Sequence, residues 1–168
     1  MVLRSLPIAA AAIALTHTAL TAAPAAAADD YVAINAGVAG VVTGKRSAEF
    51  GLEYRGAPLV WKLYPHVGGY VTHRGAAYGY AGFGLEFRLL PQVLFRANTA
   101  VGAYGQGDDI DLGHVIEFRS GLELAYEFPN KSQVGLTFHH LSNAGLDDRN
   151  PGTEIATITY SVPLDKLF

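Results

Sequence analysis

The sequence predicts an all-β protein, an eight-stranded antiparallel transmembrane β-barrel. Three observations carry that prediction: long segments that alternate apolar and polar residues, connections that alternate between tight turns and longer loops, and the kinds of residue on the two faces. The clearest segment spans residues 116–128. There Ile116, Phe118, Leu122, Leu124, Tyr126 and Phe128 hold even positions, while Glu117, Arg119, Glu123 and Glu127 hold odd ones. A period of two is that of a strand with one apolar and one polar face, and no helix keeps it.

Along the chain, strands are expected at roughly 31–42, 47–55, 59–73, 77–89, 92–104, 114–128, 132–142 and 153–163. In the second, Ala48, Phe50, Leu52 and Tyr54 alternate with Glu49, Gly51, Glu53 and Arg55. The fourth sets Ala81, Phe83, Leu85, Phe87 and Leu89 against Gly82, Gly84, Glu86 and Arg88. The fifth sets Val93, Phe95, Ala97 and Val101 against Arg96, Asn98 and Gly102. Val134, Leu136 and Phe138, then Ala156, Ile158, Tyr160 and Val162, form the apolar phase of the last two. Several of these runs reach ten residues, the length a tilted strand needs to cross a bilayer. Arg55-Gly56-Ala57-Pro58, Leu90-Pro91 and Pro129-Asn130-Lys131 read as tight turns, and 42–46, 105–111 and 143–152 as longer loops. An even count with short turns on one side and long loops on the other describes an outer-membrane barrel. Both termini of such a barrel are periplasmic, so the seventh-to-eighth connection is expected to be extracellular.

Alternation alone does not say which face points inward, because a soluble barrel would alternate as well. The faces themselves decide. One is rich in Phe, Tyr and Leu with almost no polar interruption. The other combines glycines with Glu49, Glu53, Arg55, Glu86, Arg88, Arg96, Glu117, Arg119 and Glu123, as a narrow lumen filled by ion pairs requires. The chain also ends in Phe168, and a terminal aromatic is typical of bacterial outer-membrane barrels.

Residues 1–28 read as a signal peptide. Arg4 supplies a positive start, 8–15 an apolar core, and Ala26-Ala27-Ala28 a small-residue cleavage site before Asp29-Asp30. Thr16, His17 and Pro24 break that core, which is too short for a transmembrane helix. The expected mature chain, 29–168, is one domain's worth of residues. It contains no cysteine, so no disulfide framework stabilises it. Its mild excess of acidic residues over Lys and Arg argues against a nucleic-acid partner.

One stretch carries chemistry: Phe138-His139-His140-Leu141-Ser142-Asn143-Ala144-Gly145, followed by Asn150-Pro151-Gly152-Thr153-Glu154. His140 and Ser142 are two apart, so on a strand they share a face about 6.6 Å apart along the backbone. Glu154 opens the next strand after a Gly- and Pro-containing loop, and a hairpin would return it beside the His–Ser pair. Base, nucleophile and a group to orient the base would then lie together. All three continue the outward, lipid-facing phase of their strands, near the outer leaflet, where a polar residue is costly unless paired. A substrate there would be a lipid. His139 competes for the role of base, but its parity points it into the lumen.

This run, with its His-x-Ser-Asn and a glutamate twelve residues after the serine, resembles the lipid A 3-O-deacylase (PagL) family of Gram-negative outer membranes. The likeness is sharp over about 138–164 and architectural elsewhere. It implies a serine carboxylic ester hydrolase that removes the acyl chain at position 3 of lipid A (the lipid anchor of lipopolysaccharide) and releases a 3-hydroxy fatty acid. Ser142 would be the nucleophile, His140 the general base and later acid, and Glu154 the group that fixes the imidazole tautomer. Asn143, the backbone around Ala144 and Gly145, and Asn150 are the candidate oxyanion donors. The chemistry needs neither a metal nor a diffusible cofactor.

Other features have plainer readings. His66, Tyr64, Lys62, Tyr78 and Tyr80 read as lumen packing. Lys45, Arg46, Arg74 and Arg149 are loop cations that could meet lipid A phosphates or only water. Asp109, Asp111 and Gly113 echo a calcium loop without its spacing. The apolar outer face permits a homodimer without requiring one. The rival function is a small non-enzymatic barrel with a structural or adhesive role, and an acyltransferase using lipid A as acceptor is a third reading.

Overall fold

A computed structural model describes residues 30–167; the expected signal peptide, Asp29 and the terminal Phe168 lie outside the described residues. Eight strands form it: β1 (Tyr31–Ala39), β2 (Ser47–Arg55), β3 (Leu63–Thr72), β4 (Ala77–Leu90), β5 (Val93–Gly105), β6 (Ile116–Glu127), β7 (Gln133–Ser142) and β8 (Thr153–Pro163). Each pairs antiparallel with its neighbours in sequence, and β8 returns to β1 to close a barrel. Closure runs from Tyr31 opposite Pro163 to Ala39 opposite Ile155 and leaves no edge with unpaired amides.

The expected strands agree with this in number, order and pairing; most boundaries fall within two residues, and two differ by more. The first strand ends at Ala39 rather than 42, because Gly40 turns the chain at φ +73°. The Gly40 and Val41 amides donate instead to the Glu154 carbonyl at 2.8 and 3.2 Å. The third begins at Leu63 rather than 59, because Trp61 takes φ +52° and the turn runs over 56–62.

The faces sort as the alternation requires for a bilayer. Leu136 is 68 % exposed on the outside, with Ile34, Phe50, Leu52, Val67, Phe83, Leu122 and Ile158 also bare, whereas Glu123 is 1 % exposed within the lumen. This arrangement is inside out for a soluble protein and suits hydrocarbon.

The lumen is filled in two layers. In the middle, Glu123 accepts from Arg55 Nη2 and Arg96 Nη1, each at 2.7 Å. Arg96 also reaches Glu86 at 2.7 Å and Gln133 at 2.6 Å. Glu53 accepts from Arg55 at 2.6 Å, Tyr80 at 2.8 Å and Arg119 at 3.0 Å. Small residues make room for this packing: a Cβ on Gly84 would lie 2.3 Å from the Tyr64 ring, and one on Gly121 2.1 Å from His139. Toward the end that carries the longer loops, Ala39, Tyr70, Tyr78, Tyr104, Leu112, Leu141 and Ile155 form an apolar cluster. Of the residues expected to pack in the lumen, Tyr64, His66, Tyr78 and Tyr80 do so. Lys62 does not: its ammonium lies 4.6 Å from the centre of the Phe87 ring on the outer wall.

Loop 106–115 folds over the mouth at the loop end. Buried Asp109 accepts from Thr72 Oγ1 at 2.8 Å and the Ile110 amide at 3.0 Å, and its carbonyl accepts from Lys45 Nζ at 2.7 Å. Burial by itself would raise the Asp109 carboxyl. The nearby Ser47 hydroxyl, hydrogen bonds from Thr72 and the Ile110 amide, and the charge of Lys45 outweigh burial and hold it below its usual range.

Two outcomes are expected. Arg96→Met strips a buried partner from Glu123 and Gln133, and should cost about 3–5 kcal/mol. The cost would be read as a lower urea midpoint of the heat-modifiable folded form in micelles; an unchanged midpoint would show that the lumen charges do not stabilise the barrel. Asp109 has a lower pKa folded than unfolded, so its stabilisation is present above the unfolded value and lost as pH falls through the folded one. Hydrogen-exchange protection of the Ile110 amide, corrected for intrinsic rates, should therefore fall below about pH 4. Asp109→Asn should show the same loss at neutral pH, and protection that stays level with pH would remove the carboxylate from the cap.

Candidate active site

At the loop end of β7 and β8 the usual sorting of residues inverts. Leu141 and Ile155 turn inward onto the apolar cluster, fully buried, while His140, Ser142 and Glu154 take the outward positions. His140 stands directly across from Glu154 in the β7–β8 register, and its Nδ1 lies 3.2 Å from Glu154 Oε1. The imidazole is half exposed, whereas Glu154 is mostly covered and its Oε2 is buried without a hydrogen-bond partner. A carboxylate against Nδ1 favours the tautomer that carries its proton there, leaving Nε2 as the basic atom.

Ser142 lies two residues beyond His140 on the same face, opposite Phe118 of β6 and partly exposed. Its Oγ makes no hydrogen bond among the described residues, so the His–Ser contact is not formed in this state. Contacts of this kind often tighten only around substrate. His139 is buried in the lumen against Gly121, on the opposite side of the wall from Ser142.

The imidazole rests on Gly152. A Cβ there would lie 3.0 Å from His140 Cε1 and 3.2 Å from the Leu141 carbonyl, and the residue has φ +63°. Both facts favour glycine. The sequence signals only a turn at Asn150-Pro151-Gly152; that the same glycine seats the ring depends on how the hairpin closes.

The four candidate oxyanion donors separate into two pairs. Asn143 is fully buried: its Nδ2 donates to the Leu112 and Arg149 carbonyls at 3.0 and 2.8 Å, and its Oδ1 accepts from the Gly145 amide at 2.9 Å. The Asn143 side chain and the Gly145 N–H are thus committed to shaping the loop. The physical reason is parity, since Asn143 follows Ser142 and so faces inward. Asn150 accepts from the Asn143 amide at 3.0 Å through Oδ1, which leaves its Nδ2 hydrogens free one residue from Ser142. Ala144 is exposed at φ +53° and its amide has no acceptor among the described residues.

Neighbouring loops brace this one. The Arg149 guanidinium pairs with Asp111, and Gly113 passes so close to the Arg149 carbonyl that a Cβ would lie 2.0 Å from it. The Gly113 amide, and then Arg149, hold the Asp111 carboxyl below its usual range. Asp111 and Gly113 therefore serve as loop contacts. Lys45 and Arg149, among the four loop cations, already have protein partners. Among the described residues, no group of three or more His, Asp or Glu side chains is placed to hold a metal ion.

Below His140, a groove of about 600 Å³ runs down the outer wall from β5 across β6, β7 and β8 to β1. Leu122, Leu124, Leu136, Phe138, Ala156 and Ile158 line it, and small Ala36 and Gly37 keep it open.

The family profile described as Lipid A 3-O-deacylase (PagL) matches residues 48–163. Among curated proteins, Lipid A deacylase PagL of Bordetella bronchiseptica is 32 % identical over 53 residues, which make up 32 % of this chain and 30 % of that one. The match thus spans under a third of that relative's length. Among solved structures, the crystal structure of the outer membrane enzyme PagL superposes with a TM-score of 0.64 at 24 % identity, over 80 % of this chain and 99 % of the other. The crystal structure of Neisserial surface protein A does so with a TM-score of 0.57 at 11 % identity, over 80 % and 97 %. At these identities both likenesses speak to the barrel fold.

Gly152→Ala tests the seat of the imidazole. The left-handed backbone should cost about 1 kcal/mol, too little to unfold the barrel, while the methyl group pushes the ring off Glu154. The expected result is a folded, heat-modifiable protein whose His140 Nδ1 proton exchanges faster by NMR; a His140 signal identical to wild type would remove Gly152 from that role.

Proposed function

The chain belongs to the lipid A 3-O-deacylase (PagL) family and is an outer-membrane β-barrel protein, and from that premise we propose that it is a serine esterase hydrolysing the ester-linked acyl chain at position 3 of lipid A. The observation that carries this reading is the His140–Glu154 pair, with Ser142 beside it, on the hydrocarbon-facing wall directly above an apolar groove. A water-soluble substrate would have no reason to meet a base there. A lipid in the adjacent leaflet would present its ester at that height and its acyl chain to the groove, whose volume is in the range of ordinary ligand sites.

In this mechanism Ser142 Oγ attacks the ester carbonyl carbon while His140 Nε2 takes the hydroxyl proton. Glu154 keeps the opposite nitrogen protonated and stabilises the imidazolium that forms. The carbonyl oxygen becomes an oxyanion, for which the Ala144 amide and Asn150 Nδ2 are the available donors. Collapse breaks the bond to the sugar 3-oxygen, which leaves with the proton from His140. Water, deprotonated by the same imidazole, then cleaves the acyl-serine ester and frees the 3-hydroxy fatty acid.

The test is the mass of lipid A after incubation of lipopolysaccharide with the refolded protein in detergent. Wild type should remove one 3-hydroxyacyl chain and release the free acid. Ser142→Ala and His140→Asn should each lower the rate by about 10⁴-fold or more, and Glu154→Gln by somewhat less, all three with retained heat-modifiable migration. Lipid A unchanged by wild type would favour the structural or adhesive barrel, and lipid A that gains a chain would favour the acyltransferase. Asn150→Ala should slow turnover by about 10²–10³-fold while Asn150→Asp, which keeps the acceptor to the Asn143 amide, should not restore it.

A further inference from the structure

At the end opposite the candidate site, the 56–62 turn does not tuck under the barrel. It lies against the outer face of β4, where the Glu86 amide donates to the Lys62 carbonyl and Trp61 packs on Phe87. Leu59 and Val60 are largely exposed, and Trp61 is 72 % exposed, with Val42 the barest large apolar residue among the described ones. Leu89 and Leu90 continue the bare patch on the neighbouring hairpin. The conformation is held firmly: the Leu59 amide donates to the Leu63 carbonyl at 2.8 Å, Leu63 to Val60 at 3.0 Å, and Glu86 to the Lys62 carbonyl at 3.1 Å.

Trp61 itself has φ +52°, a left-handed backbone that a bulky side chain adopts only at a cost of about 1–3 kcal/mol. That cost does not serve burial, because the ring ends up in the open. It packs edge-on to Phe87, with centroids 5.9 Å apart. The Lys62 ammonium sits 4.6 Å from the Phe87 centroid and 5.7 Å from Trp61, and makes no ion pair among the described residues. An indole, a cation with unused donors and flanking aliphatics form the combination favoured where hydrocarbon meets headgroups.

The height agrees. From His140, the pairing row passes through Ser120, Thr99 and Phe83 to Pro65. In a closed barrel with strands tilted about 40°, that row descends, and Trp61 precedes Pro65 by four residues, in the turn below the start of β3. It is then on the order of 20 Å below His140, close to the roughly 25 Å apolar band of such barrels. If one end sits at one interface of the bilayer, the other end sits at the opposite interface.

We propose that the 56–62 turn docks the barrel into the phospholipid leaflet at its turn end. Leu59, Val60 and the Trp61 ring enter the glycerol–acyl boundary, and the Lys62 ammonium, held over two rings, donates to a lipid phosphate. Together with the groove at the other end, this fixes the depth of the barrel in the bilayer. The inference rests on the membrane-spanning barrel and not on the esterase reading.

Trp61 is the single tryptophan of the chain, so its fluorescence reports this turn alone. The protein is reconstituted in phosphatidylcholine vesicles whose acyl chains carry bromine either near the glycerol or near the chain end. The expected result is blue-shifted emission, quenched severalfold more by the glycerol-proximal bromines. Emission of a hydrated indole that no brominated lipid quenches would place the turn in water and overturn the proposal. So would blue-shifted emission that ignores bromine but follows the protein-to-lipid ratio, which would assign the patch to a second copy of this chain. For Lys62, brominated phosphatidylglycerol diluted into plain phosphatidylcholine should quench wild type more than brominated phosphatidylcholine at the same fraction. Lys62→Gln, with its gel migration checked for folding, should abolish that preference; an equal preference in both proteins would overturn the phosphate contact.

Discussion

Closure is the constraint on which this structure depends. In hydrocarbon every backbone N–H and C=O needs an internal partner, so the sheet has no option but to close on itself, with the edge of β1 paired to that of β8. Eight strands make a narrow cylinder, and its interior must then be filled by whatever the inward positions carry. Here they carry charge. Glu53 pairs with Arg55 of its own strand and Arg119 of β6, and Glu123 with Arg55 of β2 and Arg96 of β5, so that the middle of the lumen holds a compensated network. Single carboxylates in that space would be costly.

The inversion at the loop end follows from the same economy. Leu141 and Ile155 leave the polar lumen for an apolar cluster capped by Leu112, and this frees the adjacent outward positions from any duty to cover the core. His140, Ser142 and Glu154 occupy them. Two polar side chains on a lipid-facing wall are tolerable when they pair, and the His140–Glu154 contact is that pair. The arrangement that makes the residues affordable on this surface is also the one that orients the imidazole.

Around the site, precision comes from backbone contacts rather than from the three side chains. Gly152 seats the ring, Asn143 ties the loop to the carbonyls of Leu112 and Arg149, and Gly40 and Val41 hold the Glu154 carbonyl from the end of β1. A loop of ten residues between β7 and β8 would otherwise be free to move. Its neighbour, 106–115, is anchored in turn through Asp109 to β3, so the rim behaves as one braced unit. The other rim carries the Trp61 turn.

Much of this could be read from the chain alone, because a strand has a period of two and no freedom in it. Parity put Leu136 outside and Thr137 inside, sent His139 to the lumen, and set His140, Ser142 and Glu154 on one outward face; the coordinates have each of them there. Alternation also separated an acidic and basic interior from a Phe- and Leu-rich exterior, and so chose a membrane barrel over a soluble one. What lies outside parity was decided only by tertiary structure. Whether Asn143 offers its amide to a ligand depends on which carbonyls another loop brings within 3 Å. That Gly152 meets an imidazole, and that Lys62 leaves the lumen phase for the rings of Trp61 and Phe87, depends on turns whose backbone angles no local pattern specifies. Side-chain direction is a local property of a strand; contact between loops is a property of the closed barrel, and it appears only once the register brings their ends together.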